Sequence, residues 1–131
     1  MTLTSIKPAH IDDRGSITDI LHHTPFQHAA IITSYKGAIR GNHYHKETTQ
    51  YLYLTKGRLR YWYLRAPLDP VQFVDVWAGD LVTTPPLEVH TLEILAEATQ
   101  FLVLTDGKRG GPDYESDTFR VPSIMPQEPI R

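Results

Sequence analysis

Three side chains that can bind a metal ion or move a proton lie between Gly37 and Gly57. His43 and His45 are separated by one residue, and Gln50 opens the next hydrophobic run. Because alternate residues of a strand point to the same face, both imidazoles are expected on one side of it. Histidine titrates near neutral pH and is a common metal ligand, so the pair suits either acid and base catalysis or metal binding.

A second cluster follows at residues 79–90, where a glycine, a short β-rich run and two prolines precede His90. Turn residues of this kind place His90 at the entrance of a strand. The turn after His45 contains Glu47, which is a reserve ligand. We expect one pocket to hold the four candidate metal ligands, which are His43, His45, Gln50 and His90.

Short runs rich in β-branched and aromatic residues recur along the chain, separated by glycine and proline turns. They span residues 16–21, 29–35, 50–55, 58–64, 72–77, 80–84, 90–95 and 100–105. The sequence shows no sustained helical period with caps. The pattern predicts an all-β, antiparallel domain over residues 1–120, and a jelly-roll β-barrel is the version that holds such a site in its mouth. The proline-rich C-terminal tail, residues 121–131, is expected to be extended or frayed.

Strand parity in the run 58–64 indicates which side chains line the pocket. Tyr61 and Tyr63 share one face with a leucine, and this apolar and phenolic face is expected inside. Either tyrosine could offer its hydroxyl to a substrate, and the alternative is aromatic packing with the hydroxyl at the rim. Phe101 and Val103 are expected at the base of the same cavity.

Composition limits the classes of protein that fit. A chain of 131 residues makes one domain, and the absence of cysteine leaves nitrogen and oxygen donors for any metal. The formal net charge is −2 with no basic stripe, which argues against a nucleic-acid partner. The first residues lack a basic segment followed by an apolar run, and no stretch approaches a membrane span. These features predict a cytoplasmic protein that binds no membrane.

The two clusters resemble the two signature motifs of the cupin superfamily of RmlC-like jelly rolls. The first motif matches at every position but one, since Gln50 stands where most cupins have glutamate. In the second motif Leu87 and Ile94 replace the usual glycine and asparagine. The resemblance covers about residues 12–120 and implies that a metal, if present, is held by three histidines and Gln50. Zinc, nickel, manganese or iron would suit that set.

Residues 12–20 and 39–45 further resemble cupins that act on nucleotide-linked sugars. In dTDP-sugar 3,5-epimerases an RG-x-H motif, matched by Arg40 to His43, supplies the base, and an early arginine, matched by Arg14, contacts phosphate. The 3,4-ketoisomerases, which work without metal, have RG-x-H-x-H and a glutamine five residues later, as here. The cupin domain of capsule-synthesis UDP-sugar reductases has the same RGNHYH segment and carries zinc.

These resemblances imply a nucleotide-sugar epimerase or ketoisomerase that moves a proton next to a 4-keto group in polysaccharide or deoxysugar biosynthesis. Without a metal, His43 would be the base, and His45 or a tyrosine the proton donor. With a metal, a tyrosine that is not a ligand would carry the proton. Candidate contacts for a diphosphate are Arg14, Arg40 and Arg60, although Arg60 lies on the parity opposite to the pocket.

Other functions remain open on the sequence alone. One alternative is a metal-dependent cupin that hydrolyses, isomerises or oxygenates another small carbohydrate, such as the unsaturated uronates on which one group of metal cupins acts. Another is a noncatalytic cupin that binds a sugar. A homodimer is expected in each case, because small cupins commonly exchange or pair their N-terminal strands.

Overall fold

The computed structural model describes residues 1–108 and 115–126, and these residues form β-strands joined by turns and loops. The strands in chain order are β1 (Thr2–Ser5), β2 (His10–Asp12), β3 (Gly15–Ile17), β4 (His28–Tyr35), β5 (Ile39–Tyr44), β6 (Thr49–Lys56), β7 (Arg58–Leu64), β8 (Gln72–Trp77), β9 (Asp80–Thr84), β10 (Val89–Ile94), β11 (Ala98–Asp106) and β12 (Phe119–Arg120). Within these residues there is no helix long and apolar enough to cross a membrane.

The strands form two five-stranded sheets and a separate hairpin. One sheet has the order β1-β9-β6-β11-β4, the other has the order β12-β5-β10-β7-β8, and β2 pairs with β3. Every pairing between these strands is antiparallel. The predicted all-β antiparallel jelly roll is therefore confirmed, with two facing sheets rather than one closed barrel.

The hydrophobic core lies between the two sheets and follows the period of two that the sequence predicted. Leu52 and Leu54 of β6 are buried, as are Leu59 and Tyr61 of β7. Further core residues come from four other strands, namely Val76, Val82, Leu92, Ile94, Phe101 and Val103. Because both sheets contribute, a cavity at one end of the core is lined by strands from each.

The prediction of a strand over residues 16–21 is wrong for residues 18–21. The strand β3 ends at Ile17, and the hairpin that it forms with β2 turns at residues 13–14, just before Gly15, whose φ is 134°. Ile17 is 58% exposed, so this end of the predicted strand packs against no core in this chain.

The C-terminal tail is described as far as Pro126. Its first residue is tied to β5, because the Val121 amide donates to the Asn42 carbonyl (2.9 Å). Residues 121–126 contain no strand, and the prediction for residues 127–131 lies outside the described part of the chain. The domain boundary at residue 120 stays a prediction.

Candidate functional site

A β-bulge in β5 sets the direction of the histidines. His43 pairs with His90 of β10, but Gly41 pairs with Thr91, so Asn42 is an extra residue in β5. Gly41 and Asn42 both have positive φ values, 91° and 55°. On a regular strand, Arg40 and His43 would point to opposite faces because they are three residues apart. The extra residue of the bulge brings both side chains to the same face. Arg40 and His43 therefore both line the cavity.

Three imidazoles meet at this end of the core. The ring centroids of His43 and His90 are 4.6 Å apart, those of His43 and His45 are 4.8 Å apart, and those of His45 and His90 are 5.5 Å apart. One ligating nitrogen from each ring lies within 4.8 Å of the others. His45 and His90 are buried, and His43 is half-buried.

Backbone carbonyl groups fix the tautomers of two of these rings. The Nδ1 of His45 lies 2.8 Å from the carbonyl oxygen of Asp117, and the Nδ1 of His90 lies 3.1 Å from that of Glu88. A carbonyl oxygen can only accept a hydrogen bond, so each Nδ1 carries the proton. In the neutral form of each ring, Nε2 therefore holds the lone pair. The Nε2 of His45 is buried and has no hydrogen-bond partner among the described residues.

His90 is neutral at physiological pH. Burial lowers its pKa from 6.5 to about 4, against the effect of the Glu88 carbonyl, and the nearby His45 lowers it further. A neutral imidazole keeps its lone pair, which is what a base or a metal ligand requires.

The depressed pKa of His90 predicts a loss of stability in acid. Between pH 6.5 and 4 the unfolded chain binds a proton that the folded chain does not, so the free energy of unfolding falls as the pH falls. The loss should approach about 3 kcal/mol at pH 4. Urea denaturation at several pH values with chelator present would measure it, and His90→Gln should flatten the curve. An unchanged pH dependence in that variant would contradict the assignment.

The cavity next to the histidines has a volume of about 510 Å³, within the range of small-molecule sites. Gln50 shares the inward parity of Leu52 and lines the cavity with His43 and His90. The expectation that all four candidate ligands share this pocket is wrong for His45, which is buried against the other two rings and is not part of the cavity lining. Phe101 and Val103 also line it, together with Tyr61, Thr84 and Leu92. By contrast, Glu47 is exposed in the turn after β5 and belongs to no cluster of three metal ligands among the described residues.

Tyr61 reaches the cavity wall, but its hydroxyl is already bound. It donates to Glu88 Oε2 (2.8 Å) and lies 2.6 Å from Thr84 Oγ1, and its ring stacks on that of His90. Burial raises the pKa of Tyr61 well above 10, and the negative charge of Glu88 adds to the effect. The Tyr63 hydroxyl donates to Gln72 at an exposed position, away from the cavity lining. Neither phenol directs an uncommitted proton at the histidines.

Of the three arginines predicted to contact a diphosphate, Arg40 lines the cavity. Its Nε donates to Ser34 Oγ (2.5 Å). Arg14 lies on the β2–β3 hairpin, where it pairs with Asp12 and its side chain is 83% exposed. Arg60 lies on the outer face of its sheet, paired with Asp75 (2.8 Å), as its parity indicated. The structure brings neither Arg14 nor Arg60 to the cavity of this chain.

Segment 115–121, which was not predicted to belong to the site, forms part of the cavity wall. Glu115, Thr118, Arg120 and Val121 line the cavity, and β12 places Arg120 directly opposite His43. Glu115 and Arg120 form an ion pair. The concentration of polar and aromatic residues here was the available signal, but a loop with one edge strand explains it equally well.

Buried Glu88 was missed as well. It is 1% exposed and accepts hydrogen bonds from Tyr61 and from the Met1 amino group. The signal was its position two residues before His90, which gives both side chains the same strand parity.

Most of the chain matches one known protein family. Residues 10–107 match the family described as polysaccharide biosynthesis C-terminal domain. A comparison with curated protein sequences gives no match.

Solved structures of low sequence identity share the fold. A variant of the 3,4-ketoisomerase QdtA from Thermoanaerobacterium thermosaccharolyticum, in complex with TDP-4-keto-6-deoxyglucose, is 21% identical, with a TM-score of 0.75 over 92% of this chain and 86% of that one. The dTDP-4-dehydrorhamnose 3,5-epimerase from Elizabethkingia anophelis is 15% identical, with a TM-score of 0.72 over 91% and 73%. The capsular polysaccharide assembling protein CapF from Staphylococcus aureus is 20% identical, with a TM-score of 0.65 over 88% and 34%. These similarities confirm an RmlC-like cupin fold.

Proposed function

Because the chain belongs to the polysaccharide biosynthesis C-terminal domain family, we propose that it is a nucleotide-sugar epimerase or ketoisomerase in polysaccharide or deoxysugar biosynthesis. Its reaction would move a proton next to a 4-keto group. The observation that carries the proposal is a cluster of three imidazoles, two with fixed tautomers, of which His43 and His90 line a cavity that Arg40 also lines. The fold is shared with a 3,4-ketoisomerase and a 3,5-epimerase that act on such sugars.

The chemistry suits these residues. A proton beside a ketone becomes acidic when the developing enolate is stabilised, so the site needs a base and a partner for the oxygen. His43 borders the cavity and is the candidate base. The proton on His45 Nδ1 is held by a carbonyl, so Nε2 is the atom of His45 that would exchange a proton, although His45 is buried behind the residues that line the cavity. The Arg40 guanidinium matches phosphate oxygens in charge and shape.

Solvent exchange tests the proposed reaction directly. The protein is incubated with TDP-4-keto-6-deoxyglucose in D₂O, and NMR follows deuterium at the carbons next to the ketone. We expect uptake with native protein and none with heat-denatured protein. No exchange with any of a panel of 4-keto nucleotide sugars would contradict the proposal. A rise in melting temperature without exchange would instead support a noncatalytic sugar-binding cupin.

The second candidate function is a metal-dependent cupin acting on a small carbohydrate. It is favoured by the inward lone pairs of His45 and His90, because metal-bound histidines usually donate their other N–H to a carbonyl or carboxylate group. His43, His45, His90 and the Gln50 oxygen would hold a divalent transition metal. When bound, such a metal would polarise a ketone oxygen as a Lewis acid.

Metal content separates the two candidates. We expect the metal cupin, purified without chelator or affinity nickel, to contain about one transition metal per chain and to lose most of it in His45→Ala and Gln50→Ala variants. Elemental analysis measures the content, and Glu47→Gln in the exposed turn serves as the control. Full metal in both alanine variants would contradict the ligand assignment, whereas metal-free native protein would favour the ketoisomerase type.

The homodimer also stays a prediction. The β2–β3 hairpin pairs with neither large sheet, and its Ile11 and Ile17 are 70% and 58% exposed. Exposed isoleucines on an isolated hairpin suit a contact with a second chain. Light scattering on the purified protein measures the mass in solution.

A further inference from the structure

The turn between β5 and β6 is held from a distant part of the chain by Asp117. Its Oδ1 accepts from the Lys46 amide (3.0 Å), and its Oδ2 accepts from the Glu47 amide (2.9 Å) and the Thr48 hydroxyl (2.8 Å). Hydrogen bonds to a carboxylate are stronger than those between neutral groups. Three such bonds from consecutive residues fix the turn against the segment that contains Asp117.

The same residue contacts the histidine cluster through its backbone. The carbonyl oxygen of Asp117 accepts the hydrogen bond from His45 Nδ1, and His45 immediately precedes the turn. We propose that Asp117 is a positioning residue for His45. Its carboxylate holds the turn, and this keeps its own carbonyl against Nδ1, so that Nε2 of His45 presents a lone pair to the other two imidazoles.

Electrostatics support a carboxylate in this position. Burial acts to raise the pKa of Asp117, but the hydrogen bonds from Glu47, Lys46 and Thr48 outweigh it, and the pKa lies below its usual range. The side chain is therefore ionised at neutral pH and accepts all three bonds. Thr48 is buried, which shields its bond to Asp117 from water.

The alternative tautomer shows why this contact matters. If the carbonyl moved away, His45 could place its proton on Nε2, and that nitrogen would no longer accept a proton or bind a metal ion. The segment that holds His45 also carries Thr118 and Arg120, which line the cavity. A ligand that displaces these two side chains would therefore also move the segment whose Asp117 carbonyl holds His45.

Tautomer measurement tests the proposal without a substrate. In chelator-treated protein labelled with ¹⁵N-histidine, we expect native His45 to be protonated at Nδ1. In Asp117→Ala, the ratio of the two tautomers should shift toward Nε2–H by between about twofold and tenfold, the range expected for one lost hydrogen bond. Asp80→Ala is the matched control, because Asp80 also caps a turn, through the Trp77 amide, but away from the site.

A folded Asp117→Ala protein with the native tautomer ratio would overturn the proposal. If that variant does not fold, Thr48→Val removes one of the three bonds at nearly constant volume, and it should shift the ratio in the same direction by a smaller factor. An unchanged ratio in Thr48→Val would then overturn it.

The kinetic part of the test rests on the proposed function. Deuterium exchange in Asp117→Ala should be about 10- to 100-fold slower in kcat, with a smaller change in KM because Arg40 is untouched. A kcat equal to that of the native protein would count against the positioning role. If the native protein exchanges no sugar, the proposed function fails, while the tautomer ratio still decides the role of Asp117.

Discussion

Replacing His43 by asparagine is expected to slow deuterium exchange into a 4-keto nucleotide sugar by about 10²- to 10⁴-fold, the usual contribution of a general base. Asparagine is close to histidine in size and polarity but cannot take up a proton at neutral pH. Because the other cavity residues stay in place, the loss should appear in kcat, with KM little changed. NMR in D₂O gives both parameters.

The control for His43→Asn is His22→Asn, the same substitution at an exposed position outside the cavity lining. Melting temperature and metal content are measured on both variants, so that a loss of fold or of metal is not mistaken for a loss of the base. Exchange by folded His43→Asn within about threefold of native protein would rule out His43 as the base and direct attention to His45.

Gly41→Ala should be strongly destabilising because two costs combine at that position. A residue with a Cβ is strained at a φ of 91°, by about 1–2 kcal/mol. The added Cβ would also lie 2.7 Å from the His90 carbonyl oxygen and 3.3 Å from the Thr91 Cα, which are backbone atoms that cannot rotate away. Overpacking of this kind adds about 1–3 kcal/mol. We expect a total loss of about 2–5 kcal/mol in the free energy of unfolding.

Gly79→Ala provides a matched control for Gly41→Ala. Gly79 has a φ of 96°, yet a Cβ added there would meet no atom within 4 Å. This variant should show the conformational cost alone, about 1–2 kcal/mol. Urea denaturation of the two variants gives the difference. Equal losses would mean that the close approach of β5 and β10 at Gly41 has no energetic consequence.

The periodicity of the sequence predicted most of the long strands in the two sheets. The runs at residues 50–55, 58–64 and 72–77 predicted β6, β7 and β8 closely, because alternating apolar residues there face a real core. The run at residues 16–21 had similar composition but lies partly in an exposed hairpin, where no packing enforces the pattern. The composition of a segment shows whether it could form a half-buried strand. Whether another element packs on its apolar face depends on the tertiary structure.

The sequence predicted the part of the candidate site that depends on local spacing along one strand. The spacing of His43 and His45 is local, and a strand turns local spacing into a shared direction. Asp117 is 72 residues from His45, and its main contact with that ring uses a backbone atom, which no residue pattern reveals. The bulge in β5 was equally hidden, because it depends on how the neighbouring strand aligns rather than on β5 alone.

The bulge at Gly41 and Asn42 also bears on how the chain can vary in length. Deleting one residue there would leave Arg40, His43 and His45 at alternate positions of a regular strand, so all three side chains would still point to the same face. The bulge therefore allows β5 to hold one more residue between Arg40 and His43 without turning the histidines outward. A one-residue insertion or deletion between His43 and His45 would instead place the two imidazoles on opposite faces. Length differences among natural relatives should therefore avoid residues 43–45 and occur at the bulge or in exposed turns such as residues 65–70.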